Sequence, residues 1–145
     1  MRLSTKGRYG LRLMLDLALH HGQGPVLLRD IARRQGVSEK YLWHLVAQLK
    51  NAGLVNSLRG SRGGYILAQP MHKITLLDIL TCLEGPGNLT GCIDDPASCS
   101  RSFGCIARDV WQEVSNKMQE FLESLTLDKM LERHKNKTEN PAYII

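Results

Sequence analysis

The chain has no apolar run approaching the roughly 20 residues needed to cross a bilayer, which excludes a helical membrane protein. The segment Leu11–Leu19, behind a basic N-terminus, comes nearest to a secretory leader. Arg12 and Asp16 interrupt it and no small-residue cleavage site follows, so a cytoplasmic protein is expected. Catalytic constellations are missing too. The five histidines are scattered, and no Ser/His/Asp set, paired carboxylates or G-x4-G-K-[ST] loop can be assigned, so no enzymatic activity is expected. Cysteine is sparse, with four in 145 residues. In a reducing compartment such thiols read as metal ligands or redox-active groups before disulfides.

What is present is unevenly distributed. The 43% hydrophobic content is that of a folded chain. Residues 1–70 hold eleven Lys and Arg against Asp16, Asp30 and Glu39, a balance of +8, whereas residues 71–145 balance to −3. A polyanionic partner held by the first half is the natural reading.

Thr5–His21 is rich in Leu, Met and Ala and lacks Pro. A buried helix is expected there despite partial alternation, ended by Gly22 and Gly24. After an extended Pro25-Val26, Leu28–Gln35 reads as a short amphipathic helix. Gly36 can end it in the left-handed conformation, Val37 can plug the core, and Ser38 can cap a further helix over Glu39–Ala52. The spacing D-I-A-x3-G-V-S-x3-L-x2-L-x3-L is that of a helix-turn-helix. An ordinary αα-hairpin shares the pattern, but the exposed face here is basic. Leu54–Arg59 and Tyr65–Ala68 then read as two strands joined by a Gly-rich loop, a wing whose Arg59 and Arg62 suit phosphates or a minor groove.

Beyond Pro70, Thr75 and Asp78 form a capping-box pattern ahead of a helix that carries Cys82, a thiol read as buried and structural. Gly85-Pro86-Gly87 breaks it. Cys92, Cys99 and Cys105 follow in a loop rich in Gly, Asp and Ser. Their C-x6-C-x5-C spacing is wider than structural zinc pairs and suits an iron–sulfur cluster. Metal-free thiol redox chemistry, zinc or an unused loop remain open. A long helix then runs to about Leu125. Its residues Ala107, Trp111, Val114, Met118, Phe121 and Leu125 recur at seam spacing, which points to pairing with a second subunit. Thr126 caps a short last helix, Leu127–His134.

The segments M-R-L-S-T-K-G-R-Y-G-L-R-L-M-L-D-L-A-L, Y-L-W-H-L-V-A-Q-L-K-N-A-G-L-V and S-L-R-G-S-R-G-G-Y-I-L resemble the IscR-like winged-helix transcription regulators, the family of the iron–sulfur cluster regulator. The resemblance runs from Met1 to about Thr126. It implies a mainly α fold with a small β-hairpin: a winged helix-turn-helix DNA-binding domain (1–84), a cysteine-rich cluster-binding loop (85–106), a dimerisation helix with a short terminal helix (107–134) and a flexible tail (135–145). It places Ser38, Lys40, Tyr41 and His44 at the major groove. Arg59, Ser61, Arg62, Gly63 and Gly64 fall at the minor groove, and Arg2 and Lys6 on the backbone. His44 could equally be a solvated surface residue. Trp43 departs from the family pattern and could stack on the backbone, pack inward or alter sequence choice.

The implied partners are a second copy of the chain and a pseudo-palindromic duplex DNA operator. The implied cofactor is an iron–sulfur cluster on Cys92, Cys99 and Cys105, [2Fe–2S] ahead of [4Fe–4S]. The pattern's histidine three residues after the third cysteine is Arg108 here, which leaves Asp109, a carboxylate or histidine of the partner subunit, a small thiol or water as fourth ligand. The family's nitric-oxide sensors use an acidic residue near the N-terminus, where this chain has Arg8. Cysteine-metabolism repressors of the family generally lack the triplet. A metal-free regulator governed by thiol redox state or by a protein partner is the alternative.

Overall fold

A computed structural model describes residues 2–139. These form α1 (Thr5–Leu19), α2 (Leu28–Gln35), α3 (Glu39–Asn51), β1 (Val55–Leu58), β2 (Gly64–Leu67), α4 (Leu76–Glu84), α5 (Gly91–Asp94), α6 (Ile106–Ser124) and α7 (Leu127–Glu139). The fold is mainly α with one antiparallel hairpin, as expected.

Local chemistry sets the boundaries. The Ser4 hydroxyl accepts from the Lys6 amide at 3.2 Å and caps α1. Gly36, at φ 66° and ψ 37°, ends α2 in the left-handed region. Two residues later the Ser38 hydroxyl accepts from the Tyr41 amide at 3.1 Å and starts α3. The capping box of α4 is complete: the Asp78 amide donates to Thr75 Oγ1 (3.1 Å) and the Thr75 amide to Asp78 Oδ2 (2.9 Å).

The core is the common interior of α1, α3 and α4. Leu13, Met14 and Leu17 of α1 meet Ile31 of α2, Leu42, Leu45 and Leu49 of α3 and Ile79 of α4, all buried. The alternation noted in α1 is an accident of its composition, because the buried positions 7, 10, 13, 14, 16, 17 and 18 share one side of the helix. Three features differ from expectation. Val26 makes an isolated antiparallel bridge to Tyr65 beside the wing. The cysteine loop is partly regular, containing α5 and a 3₁₀ turn at Pro96–Ser98. The last helix passes His134 and continues to Glu139, because Lys135–Glu139 contains no helix breaker. It docks by burying Leu127 and packing Met130 and Leu131 on the core. The remainder of the expected tail, 140–145, lies outside the described residues.

Asp16 is an acid buried in the α1 face, 3% exposed. Arg34 of α2 grips it with two bonds, Nη2 to Oδ1 at 2.7 Å and Nε to Oδ2 at 3.0 Å. Gln35 Nε2 donates to Oδ2 at 3.1 Å, and His20 Nδ1 lies 3.3 Å from Oδ1. Burial alone would push this carboxyl up. The bonds from Arg34 and Gln35 and the charges of Arg34 and His20 outweigh it, holding the group below its ordinary value. A depressed carboxylate stabilises the fold above its unfolded pKa of about 4, and the contribution is lost as pH falls through the folded value. Asp16→Ala, which leaves Arg34 without its partner, is expected to cost about 3 kcal/mol in urea denaturation. Asp16→Asn should flatten the stability–pH curve below about pH 4.

Candidate functional site

Burying Leu42, Leu45, Val46 and Leu49 turns the opposite side of α3 to solvent. That outward face carries Lys40, Trp43, His44 and Lys50. Ser38, at the head of the helix, is exposed as well. Tyr41 is placed differently. Its hydroxyl donates to Thr5 Oγ1 at 3.0 Å, and its ring meets Tyr9 edge-on at 6.0 Å. The Arg12 guanidinium lies 5.2 Å over the Tyr9 ring. Tyr41 therefore joins the first turn of α3 to the first turn of α1, and so brings the exposed Arg2 and Lys6 to the same end of the molecule as Ser38 and Lys40. Trp43 does not pack inward, being 55% exposed.

The wing follows α3 directly and is tied back to it by Lys50 Nζ donating to Ser57 Oγ at 2.8 Å. Leu58 pairs with Gly64 across the hairpin, leaving Arg59, Ser61 and Arg62 exposed at the tip. Gly63 and Gly64 are half-buried and serve the backbone. Gly64 has φ 148°, and a Cβ there would lie 2.6 Å from the Val26 carbonyl oxygen. That close approach lets Val26 and Tyr65 exchange backbone hydrogen bonds at 2.9 and 2.8 Å.

Glu84, the last residue of α4, was not anticipated. Its Oε1 accepts from the Ser4 amide (3.0 Å), the Ser4 hydroxyl (2.6 Å) and the Gly7 amide (3.0 Å). The Ser4 hydroxyl bond is the strongest influence holding this carboxyl below its ordinary value; the two amides and Lys6 act the same way. A Cβ on Gly7 would stand 2.6 Å from that oxygen. Only the juxtaposition of Ser4 and Glu84, 80 positions apart, reveals this contact.

From Glu84 the chain enters the cysteine loop, which is clipped to α6 by polar contacts. The Leu89 amide donates to the buried Ser115 hydroxyl at 3.3 Å, and Gln119 Nε2 donates to Asn88 Oδ1 at 3.3 Å. Arg108, at the position of the expected histidine ligand, donates from Nε to the Cys92 carbonyl at 3.0 Å. The thiols are free and each is occupied differently. Cys92 Sγ lies 3.2 Å from Thr90 Oγ1, Cys105 Sγ accepts from the Arg108 amide at 3.4 Å as the cap of α6, and Cys99 is exposed. Among the described residues no three His, Cys, Asp or Glu side chains come together as a metal site. The donor chemistry of the triplet suits an iron–sulfur cluster, and Cys92, Cys99 and Cys105 are the residues that would hold it, although their thiols are not gathered into one ligand group here. The nearby Ser102 hydroxyl is buried without a hydrogen-bond partner. Cys82, half-buried in α4, donates to the Gln48 carbonyl at 3.3 Å, and burial pushes its thiol up.

The seam of α6 is shifted from the expected set. Ile106, Val110, Trp111, Val114 and Phe121 are exposed, with Ile106 at 80% and Phe121 at 60%. Met118 instead lines a groove of about 700 Å³ between α1, α4 and α6, together with Leu3, Leu11, Leu80 and Leu122. Leu125 is half-buried and its carbonyl accepts from the Leu76 amide at 2.8 Å. Arg8 and Arg12 also line the groove.

A helix-turn-helix with a wing, a polar-clipped loop and an outward apolar helix define a winged-helix regulator. The chain belongs to the Rrf2 family, described as iron-dependent transcriptional regulators, whose model matches residues 3–133. It is 42% identical over 130 residues to the HTH-type transcriptional regulator CymR of Bacillus subtilis, covering 90% of this chain and 89% of that protein. It is 38% identical over 131 residues to the HTH-type transcriptional regulator IscR of Pectobacterium atrosepticum, covering 90% and 79%. The solved structure of T. potens IscR superposes with a TM-score of 0.76 at 42% identity, covering 92% of this chain and 88% of that one. These relatives are transcriptional regulators, not enzymes, and so is this chain. Among the described residues no helix is long and apolar enough to cross a membrane.

The wing geometry makes a testable demand. Gly64→Ala should separate Val26 from Tyr65 and lower stability by about 1–3 kcal/mol in urea denaturation.

Proposed function

We propose that this regulator binds pseudo-palindromic duplex DNA as a homodimer and that its cysteine loop receives the signal. The observation that carries the DNA reading is the outward face of α3, free of the core and flanked by basic groups on two sides: Arg2 and Lys6 at its head, Arg59 and Arg62 on the wing. In this reading α3 enters the major groove through Ser38, Lys40 and His44, while Arg59, Ser61 and Arg62 follow the backbone into the minor groove. Gly63 and Gly64 shape the wing, and Tyr41 positions α3 rather than touching DNA. Each phosphate contact neutralised should contribute about 0.9 to the slope of log K against log salt. Arg59→Ala and Arg62→Ala are each expected to lower that slope and to weaken all duplexes alike.

The dimer reading rests on two complementary surfaces. The apolar stripe of α6 is accompanied by Asp109, Glu113 and Glu120, and the apolar groove between α1 and α4 by Arg8 and Arg12. A second copy laying its α6 in that groove would cover both and set two α3 helices to face one duplex. Phe121→Asp should give monomers in sedimentation analysis and weaken operator binding by roughly 100-fold, the scale of lost bivalency.

Two forms of signal are supported. The triplet Cys92, Cys99 and Cys105 and the likeness to proteins named IscR support an iron–sulfur cluster, which would supply redox-sensitive iron–thiolate bonds between loop and dimer helix. The separate hydrogen bonding of the three thiols, and the likeness to proteins named CymR, support metal-free control through thiol oxidation or a protein partner. Anaerobic purification with iron and sulfide measured per chain separates the two. Stoichiometric iron and sulfide, lost together with regulation in the triple Cys→Ala variant, is the expected outcome for a cluster. A colourless protein whose operator binding changes with thiol oxidant indicates the second form.

A further inference from the structure

One side chain on the outward face of α3 is unlike the others. Trp43 is 55% exposed, in a helix face otherwise made of Lys40, His44, Ala47 and Lys50. Its indole meets the His44 imidazole edge-on, with centroids 5.3 Å apart and planes at 78°. This arrangement gives the two rings one defined mutual orientation. Resting on the reading of α3 as the groove-binding helix, we propose that Trp43 is a specificity-determining residue that reads the C5-methyl group of thymine.

An indole offers a single N–H donor and no acceptor, so it cannot make the paired hydrogen bonds by which Arg, Asn or Gln distinguish base edges. Phosphate neutralisation on this face is supplied by Lys40 and Lys50, with Arg59 and Arg62 on the adjoining wing. What the indole adds is apolar surface directed away from the core. The apolar groups that a major groove displays are the thymine methyls. Trp43 also lies in the N-terminal half of α3, the half of a recognition helix that reaches base edges. Burying a methyl against exposed indole gains free energy without a polar cost, and cytosine at the same position offers only hydrogen there.

The test uses the full chain. Duplexes selected from a random-sequence pool define the operator, and each thymine is then replaced singly by deoxyuridine, which removes only the methyl. At one symmetric position the replacement is expected to weaken binding about 4-fold per half-site, and about 15-fold when made in both. In Trp43→Ala that dependence should vanish while the salt slope stays unchanged. Trp43→Phe should keep part of it, and because residue 43 is exposed, thermal melts of both variants should match the parent. A deoxyuridine profile that is flat in the parent overturns the proposal. So does a methyl effect that persists in Trp43→Ala, or a Trp43→Ala variant that weakens every duplex equally, as backbone stacking would. Failure of the parent chain to bind any selected duplex overturns the groove-binding reading itself, an outcome distinct from a flat profile.

Discussion

The structure depends on how closely α1 approaches α4. Gly7 and Gly10 leave no side chain at the crossing, and Leu80, Leu83 and Glu84 of α4 occupy the space that a Cβ at these positions would need. The approach lets one carboxylate oxygen of Glu84 take three donors from the first turn of α1. Free amides at a helix start attract an anion. Here the anion comes from the residue that precedes the cysteine loop. The N-terminal segment, which carries Arg2 and Lys6, and the root of the loop are therefore held by a single contact.

A second constraint concerns α6. In this chain only Ser115 of that helix is buried, and its attachment to the loop is polar: Ser115 to Leu89, Gln119 to Asn88, Arg108 to Cys92. A helix docked through polar groups keeps its apolar stripe free. Ile106, Val110, Trp111, Val114 and Phe121 therefore face outward, which a lone soluble chain tolerates poorly. The groove beside α1 and α4 is apolar for the complementary reason, that α4 is apolar on more than one side and its own chain covers only part of it.

Elements governed by neighbours in sequence were legible in it. Ser38, Gly36, Thr75 and Asp78 act within four residues of themselves, so cap and turn chemistry located α2, α3 and α4 closely. The wing was legible for the same reason, its glycines lying between two short apolar runs. Contacts between distant residues were not. The family resemblance put Tyr41 at the groove, but the bond from its hydroxyl to Thr5 joins two separate helices and could not be read from spacing. Asp16 carried a signal that could have been read, an acid on the apolar face of a helix, but its partners Arg34 and Gln35 come from another element. The seam was displaced because Met118 and Leu125 meet the chain's own α1–α4 groove and Leu76.

The sequence by itself determined the winged-helix architecture, the basic character of its reading head and the presence of three thiols in one short loop. These follow from periodicity, capping and composition, which act over one or two helical turns. Tertiary structure alone decided how the pieces meet. It turned Trp43 outward, tied Glu84 to Ser4 and Gly7, bonded Arg108 to the Cys92 carbonyl and gave each of the three thiols its own surroundings. Spacing along a chain limits how far apart side chains can be, whereas the packing of whole helices sets where they point.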